Sequence, residues 1–389
     1  MLSWLNYIEM KQVLKKPQKT NTRQHHMQIC HRFHIQFHTP AFLGDANQSG
    51  RWRTPPFKAQ LRQWWRVAYA AQEQFAVNVR EMREVEGRLF GHAWLENDQD
   101  DQGNKVAARR SQVRIRLGRW DEGQLKSWQA ASKVKHEEVG MVDSHLYMGY
   151  GPVLLPRGSR EPALKANAAI QAKEQTELTI AFPDEQAQNL EHALQLMNLY
   201  GTVGGRSRNG WGSYSLTRLD GEPMPVTAIP TQALTKCLSA DWPLALGADS
   251  RGPLAWQTRD HPDWGGLMRT FAEIKIALRT QAAFKFPHAQ PDGQVHDRHW
   301  LSYPITRHDV NDWKRKNLRL PNQLRFKVRS TADGKLVGFI FHMPHKPPAD
   351  FDPRPAELLR IWGLVHKHLD GYAHPSANSA HLTLTRINA

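Results

Sequence analysis

Twelve consecutive residues, Gly201 to Gly212 (GTVGGRSRNGWG), hold five glycines, two arginines and a tryptophan. Glycines such as Gly204 and Gly205 let the backbone take positive φ and come close to a ligand. Arg206 and Arg208 carry forked guanidinium donors that match phosphate geometry. Backbone N–H groups through Ser207 and Asn209 can line an anion-binding concavity, and Trp211 offers a face on which a base can stack. This is chemistry for holding a phosphate-bearing polymer, and nothing in the loop can cut one. A dinucleotide-binding fingerprint would follow a strand and open a helix, whereas this loop follows a helical pattern and leads into a strand. No GxxxxGK[ST] motif occurs in the chain. A packing turn would use the glycines but has no need of two arginines and a tryptophan.

A second cationic group lies upstream in RWRTPPFKAQLRQWWR, Arg51 to Arg66. Arg51 and Arg53 precede a helical pattern in which Lys58, Arg62 and Arg66 stand four apart on one face. Phe57, Leu61, Trp64, Trp65 and Ala68 repeat on another, the spacing of a buried helix face. Trp64 and Trp65 read as core. The basic stripe reads either as a nucleic-acid surface or as a solvated face. Across the chain, 52 Lys and Arg stand against 37 Asp and Glu, a net charge of +15. Such an excess favours a polyanionic partner. An anionic membrane is the poorer candidate, because no apolar run reaches ~18 residues and the charge is spread along the chain. Two cysteines, Cys30 and Cys237, exclude a disulfide framework and a CxxC zinc module. Both are expected to be small buried hydrophobes, in a reducing cytoplasmic compartment. The N-terminal segment does not read as a signal peptide: Glu9 interrupts its apolar run and the basic residues follow that run.

These groups need elements to position them. Ile29, His31, Phe33, Ile35 and Phe37 alternate with polar residues, predicting a half-buried strand that ends at Pro40. Thr54 followed by two prolines predicts an N-cap. Val113, Ile115 and Leu117 predict a strand over 111–117, and residues 178–182 another. Leu190, Ala193, Leu194 and Met197 predict a helix with Gly201 as its C-cap. The order strand, helix, strand, strand, helix, strand is that of a ferredoxin-like domain with a long insertion. The second half repeats it more faintly. Leu267, Phe271, Ile274 and Leu278 mark a helix, Leu324 to Met343 a hairpin, and Leu358, Trp362, Val365 and Leu369 a last helix. The expected fold is therefore α+β, with two ferredoxin-like, RRM-like domains carrying insertions. Its parts are a basic N-terminal tail 1–25, a first domain 26–218 with the glycine-rich loop, a linker 219–231 and a second domain 232–389.

Together the motifs carry a family resemblance. HTPAFLGDANQ…RWRTPPFKAQLRQWWR resembles the signature TPxFLGG…LRPPSIRGALRFWWR of the first subunit of the Cmr (type III-B) complex, in the RAMP superfamily of CRISPR proteins. YMGYGP (147–152) is similar to the family's YLAYG, Leu89-Phe90-Gly91 to its LFG, and GTVGGRSRNGWGS to its GGRSRRGFGS loop. The resemblance runs in order from about Phe33 to Ser213. It implies two RAMP domains and a non-catalytic, RNA-binding place at the cap of a type III effector ribonucleoprotein in antiviral defence. Its implied partners are the guide RNA 3′ region, target RNA and other Cas subunits, with no cofactor and no membrane. This sequence departs from the pattern at Asp45, where a second glycine is usual, and at Lys58, where a small residue is usual.

An alternative reading is a RAMP-type endoribonuclease cleaving guide precursor or target RNA. Asp45 stands where a related backbone subunit carries its cleaving aspartate, although a lone loop aspartate is more often a turn residue. His34 and His38 fall on the outward face of the first strand and could meet RNA, whereas His31 belongs to the core face. The pairs His296/His299, His342/His345 and His366/His368 lack cysteine partners and an HExxH context, so no metal site is expected. Glu137-Glu138 reads as a solvated charge pair.

Overall fold

The structure is a computed structural model that describes residues 28–93, 95–100, 102–224, 228–288, 292–374 and 377–387. The expected tail 1–25 lies outside them, as does part of the expected linker. The fold is mixed α+β with antiparallel four-stranded sheets in each half. In the first half the elements are β1 (Gln28–Phe37), α1 (Thr54–Gln72), α2 (Val79–Phe90), β2 (Arg114–Leu117), β3 (Gln175–Pro183), α3 (Ala187–Tyr200) and β4 (Tyr214–Arg218). They form a sheet in the order β2-β3-β1-β4 with every neighbouring pair antiparallel.

The second half contains β5 (Ala255–His261), α4 (Trp264–Thr280), β6 (Leu324–Ser330), β7 (Leu336–His342), α5 (Pro355–Asp370) and β8 (Leu384–Arg386). Their sheet runs β6-β7-β5-β8, again antiparallel. Each sheet thus places its second, third, first and fourth strands side by side.

Periodicity decides the faces. Phe33, Ile35 and Phe37 of β1 are buried, at register positions opposite β3 and β4. Phe57, Leu61, Trp64, Trp65 and Ala68 of α1 are at most 1% exposed, as their spacing requires. Thr54 is not the cap: Arg53 takes that position with no side-chain cap bond, and Thr54 is already helical. Proline in the first turn removes a donor that a cap would serve. Gly201 is the C-cap of α3 as expected, with its N–H on the Met197 carbonyl, though its φ of −72° is not left-handed. It is glycine because a Cβ there would collide with the Met197 carbonyl and the Tyr214 hydroxyl. Cys237 is buried and its thiol is pushed up to about 12 by desolvation, but Cys30 is exposed, against expectation, on the outward face of β1.

Two apolar cores form, and they do not part at the expected linker. Leu244, Leu246, Ala255, Phe341 and Met343 join the first, packed with α1, α3 and β1. Val134 and Met148, from the first half's insertion, join the second, together with Trp211. The insertion supplies the hairpin Lys133–His136/Gly140–Asp143 and the helix Ser144–Gly149, which pack on α4. Glu138, read from sequence as solvated, is ion-paired there with the buried Arg298.

Candidate nucleic-acid interface

Three segments far apart in sequence meet where α3 hands the chain to β4. The loop after β1 brings Phe42 and Leu43, the insertion brings Tyr150 to Pro152, and the glycine loop brings Gly204 to Arg206. Gly205 N–H donates to the Phe42 carbonyl at 3.0 Å. Gly204 has φ +92°, and a Cβ there would sit 2.7 Å from that same carbonyl oxygen, so both conformation and space demand glycine. Arg206 itself is left-handed, φ +56°, a strained setting for a branched-chain-free but Cβ-bearing residue. Its Nε donates to the Tyr150 carbonyl, which fixes the base of the side chain while the residue stays exposed. Tyr150 is 64% exposed. The result is a surface with an anchored guanidinium, an open tyrosine ring and a bare glycine backbone.

The other half of the glycine loop turns inward. Trp211 is fully buried, boxed by Phe42 and Trp128, both 5.4 Å away, and by His145 and Trp264, both 5.8 Å away. The expectation that Trp211 stacks on a base is therefore corrected: it is the wedge between the two halves, and Tyr150 is the open ring at this surface. Asn209 donates to the Met148 carbonyl at 2.7 Å and accepts from Lys275 Nζ of α4 at 2.6 Å. Arg208 accepts at its carbonyl from Phe326 N–H, and its guanidinium reaches the Asn322 carbonyl at 3.3 Å. Ser213 Oγ accepts from Val328 N–H at 2.9 Å, and Lys327 Nζ donates to the carbonyls of Gly201 and Tyr214, each at 2.7 Å. Lys275 and Lys327 are buried with no carboxylate beside them among the described residues; desolvation holds both well below the usual lysine range. Ser207 stays half-buried in the turn between these two halves of the loop.

The α1 stripe has a different environment. Arg62 and Arg66 both bind the buried carboxylate of Glu86 on α2, at 2.7 to 2.9 Å, and Arg66 also lies 4.3 Å over the Trp242 ring. Lys58 Nζ donates to the Phe90 carbonyl at 2.9 Å, capping the end of α2. These three side chains fasten one helix to another, which corrects their reading as a free basic stripe. Periodicity predicts no separate helix at 79–90, because charged residues there outnumber the buried Met82, Leu89 and Phe90.

Asp45 accepts from the N–H groups of Asn47 and Ser49 at 2.8 and 2.9 Å and faces Arg51 Nε at 3.6 Å. It closes its own turn. Arg53 donates to the Gly44 carbonyl in that same turn. His31 bonds Glu191 at 3.0 Å, in keeping with a satisfied core position. His38 is buried, and desolvation with the charge of Lys327 lowers it to about 4, so it is not on an RNA-facing surface as expected. Among the described residues no three His, Cys, Asp or Glu side chains gather as a metal site, and no helix is long and apolar enough to cross a membrane.

Comparison with known proteins adds a family match over residues 34–215, to the RAMP superfamily. No curated protein sequence matches the chain. Among solved structures, apo Cmr1 from Pyrococcus furiosus aligns with a TM-score of 0.40 and 14% identity, over 87% of this chain and 96% of that one. A chain of the Type III-B Cmr-beta complex bound to cognate target RNA aligns with a TM-score of 0.44 and 11% identity, over 87% and 100%. A second state of that complex, with AMPPnP and in the presence of ssDNA, gives 0.40 and 12%, over 87% and 100%.

Proposed function

We propose, from the match of residues 34–215 to the RAMP superfamily, that the chain is a non-catalytic RNA-binding subunit of a type III, Cmr-like CRISPR ribonucleoprotein. In this reading it caps the complex in the cytoplasm and contacts the guide RNA 3′ region and target RNA beside other Cas subunits. The strand orders support taking each half as a ferredoxin-like RAMP domain. One observation carries the RNA reading: the segments 42–43, 150–152 and 204–206 converge on an exposed, backbone-anchored Arg206 beside the open Tyr150 ring. The guanidinium suits a phosphate and the ring suits a base, and neither selects sequence. Asp45, with its carboxylate engaged by its own turn and by Arg51, supports a non-catalytic role.

The test is RNA binding by the intact protein across a salt series. Arg206→Ala should flatten the slope of log K against log salt by about 0.7, one phosphate's worth. Tyr150→Ala should cost about 1–3 kcal/mol of affinity with the slope unchanged. Wild-type slope and affinity in both variants would remove the assignment, and RNA cleavage lost on Asp45→Ala would replace it with the endoribonuclease.

A further inference from the structure

The strand β6 alternates two kinds of residue. Leu324, Phe326 and Val328 enter the second core, while Arg325, Lys327 and Arg329 lie on the opposite face. That face runs along the first half of the chain, because Lys327 bonds Gly201 and Tyr214 there. Two of its three cations are accounted for: Lys327 holds two carbonyls, and Arg329 lies 4.0 Å over the Phe339 ring. Arg325 is the exception. Its Nε is shut off from solvent and has no hydrogen-bond partner among the described residues. Burial first, and then the charge of Arg208 in the glycine loop, pushes Arg325 down to about 9.

Arg208 is no better compensated, since among the described residues its guanidinium has only the long 3.3 Å bond to the Asn322 carbonyl. The third wall is His345, held against Gln323 at the start of β6, and its Nδ1 has no hydrogen-bond partner among the described residues. Gln323 holds the His345 backbone from both sides, donating to its carbonyl and accepting from its N–H, so the ring is mounted on a fixed segment. Each of the three residues keeps part of its surface in contact with solvent. Buried or half-buried charges in folded proteins are normally paired. The Arg208 carbonyl accepts from Phe326 N–H and its guanidinium reaches Asn322, which brings it alongside Arg325, and with no acid on either among the described residues the pair leaves room for an anion.

We propose that Arg208, Arg325 and His345 form an anion site at the junction of the two halves, built for a phosphodiester of the bound RNA. The anion replaces the missing carboxylate: the two forks donate to its oxygens and the His345 ring supplies a further hydrogen bond. A backbone phosphate is the fitting occupant because Arg208 is two residues from Arg206, so a strand lying on Arg206 continues towards the junction. The RNA then touches both halves at once, which neither the glycine loop nor β6 achieves alone. This site rests on the RNA-binding reading above, but its anion chemistry is tested apart from it.

The experiment uses the full chain and inorganic phosphate as the probe, against chloride of equal ionic strength. Phosphate should raise the melting temperature of the wild type, as a ligand bound only by the folded state does. Arg325→Met should lose that increment, yet in phosphate-free buffer it should melt at or above the wild type, because it removes an uncompensated cation. Its RNA dissociation constant should rise about tenfold, and Arg325→Lys, which keeps the charge without the fork, should fall between. Arg208→Met repeats the test from the other wall. Arg325→Met melting below the wild type with the phosphate increment intact would make the residue structural and overturn the proposal. Acetate matching phosphate would overturn the phosphate assignment in favour of a partner's carboxylate. If no variant or wild type binds RNA but the phosphate increment still depends on Arg325, the anion site stands and the RNA reading falls.

Discussion

The α1 stripe and the glycine loop have the same kinds of cation at similar density, and the fold treats them in opposite ways. Arg62 and Arg66 share the buried carboxylate of Glu86, and Lys58 caps α2 through the Phe90 carbonyl. The two arginines have their counter-charge within the protein, and the lysine has a carbonyl. In the glycine loop, Arg206 is exposed and among the described residues is tied only at Nε, and Arg208 meets no acid among them. A basic residue is available to a polyanion only where the fold has not already supplied its counter-charge. Net charge and spacing do not distinguish these cases, but the position of one glutamate does.

The largest expected effect tests the inward half of the loop. Trp211→Ala removes the aromatic wedge between the halves and should cost about 3–5 kcal/mol in denaturant unfolding. A loss below about 1 kcal/mol would mean that Trp211 is not the element joining the two cores. Glu86→Ala comes next. It leaves Arg62 and Arg66 facing each other beside a small cavity, and should cost about 1–3 kcal/mol. The cations it releases should steepen the salt dependence of RNA binding, and an unchanged slope would show that α1 faces away from the RNA even when its cations are free.

Acid should act on the junction more than on the stripe. His38, His345 and His366 are each lowered to about 4, first of all by burial. Their folded values lie below the unfolded value of about 6.5, so the unfolded chain binds more protons between the two. Stability is complete above about pH 6.5 and is lost as pH falls towards 4. Melting temperatures measured from pH 7.5 to 4.5 should fall along that window, and a flat profile would contradict the burial of these rings. The smallest effect is Arg62→Ala, which leaves Glu86 still paired with Arg66. It should shift stability by no more than about 1 kcal/mol and leave the RNA salt slope in place.

Particular residues show where legibility ended. The alternation of β1, the apolar face of α1, the helices at Leu190 and Leu267 and the hairpin after Leu324 were all readable, because each is written in residues two to eight apart. So were the loops that later converge, as motifs. Their convergence was not: Gly205 meets Phe42, and Arg206 meets Tyr150, across distances in sequence that carry no periodic signal. The same limit misplaced Trp211. A tryptophan in a polar glycine loop looks open by local rules, and it is buried because Trp264 and Trp128 arrive from elsewhere in the chain.

The sequence by itself determined the α+β class, the cationic character and the loops able to approach a phosphate closely, since propensity, period and glycine freedom are local properties of the chain. Only the tertiary structure decided which cations remain available and which ring is open. Glu86 silences two arginines and the second half of the chain buries Trp211, while Tyr150 is left standing. Burial and counter-charge depend on what long-range packing brings alongside a side chain, and desolvation then sets the strength of every contact it makes.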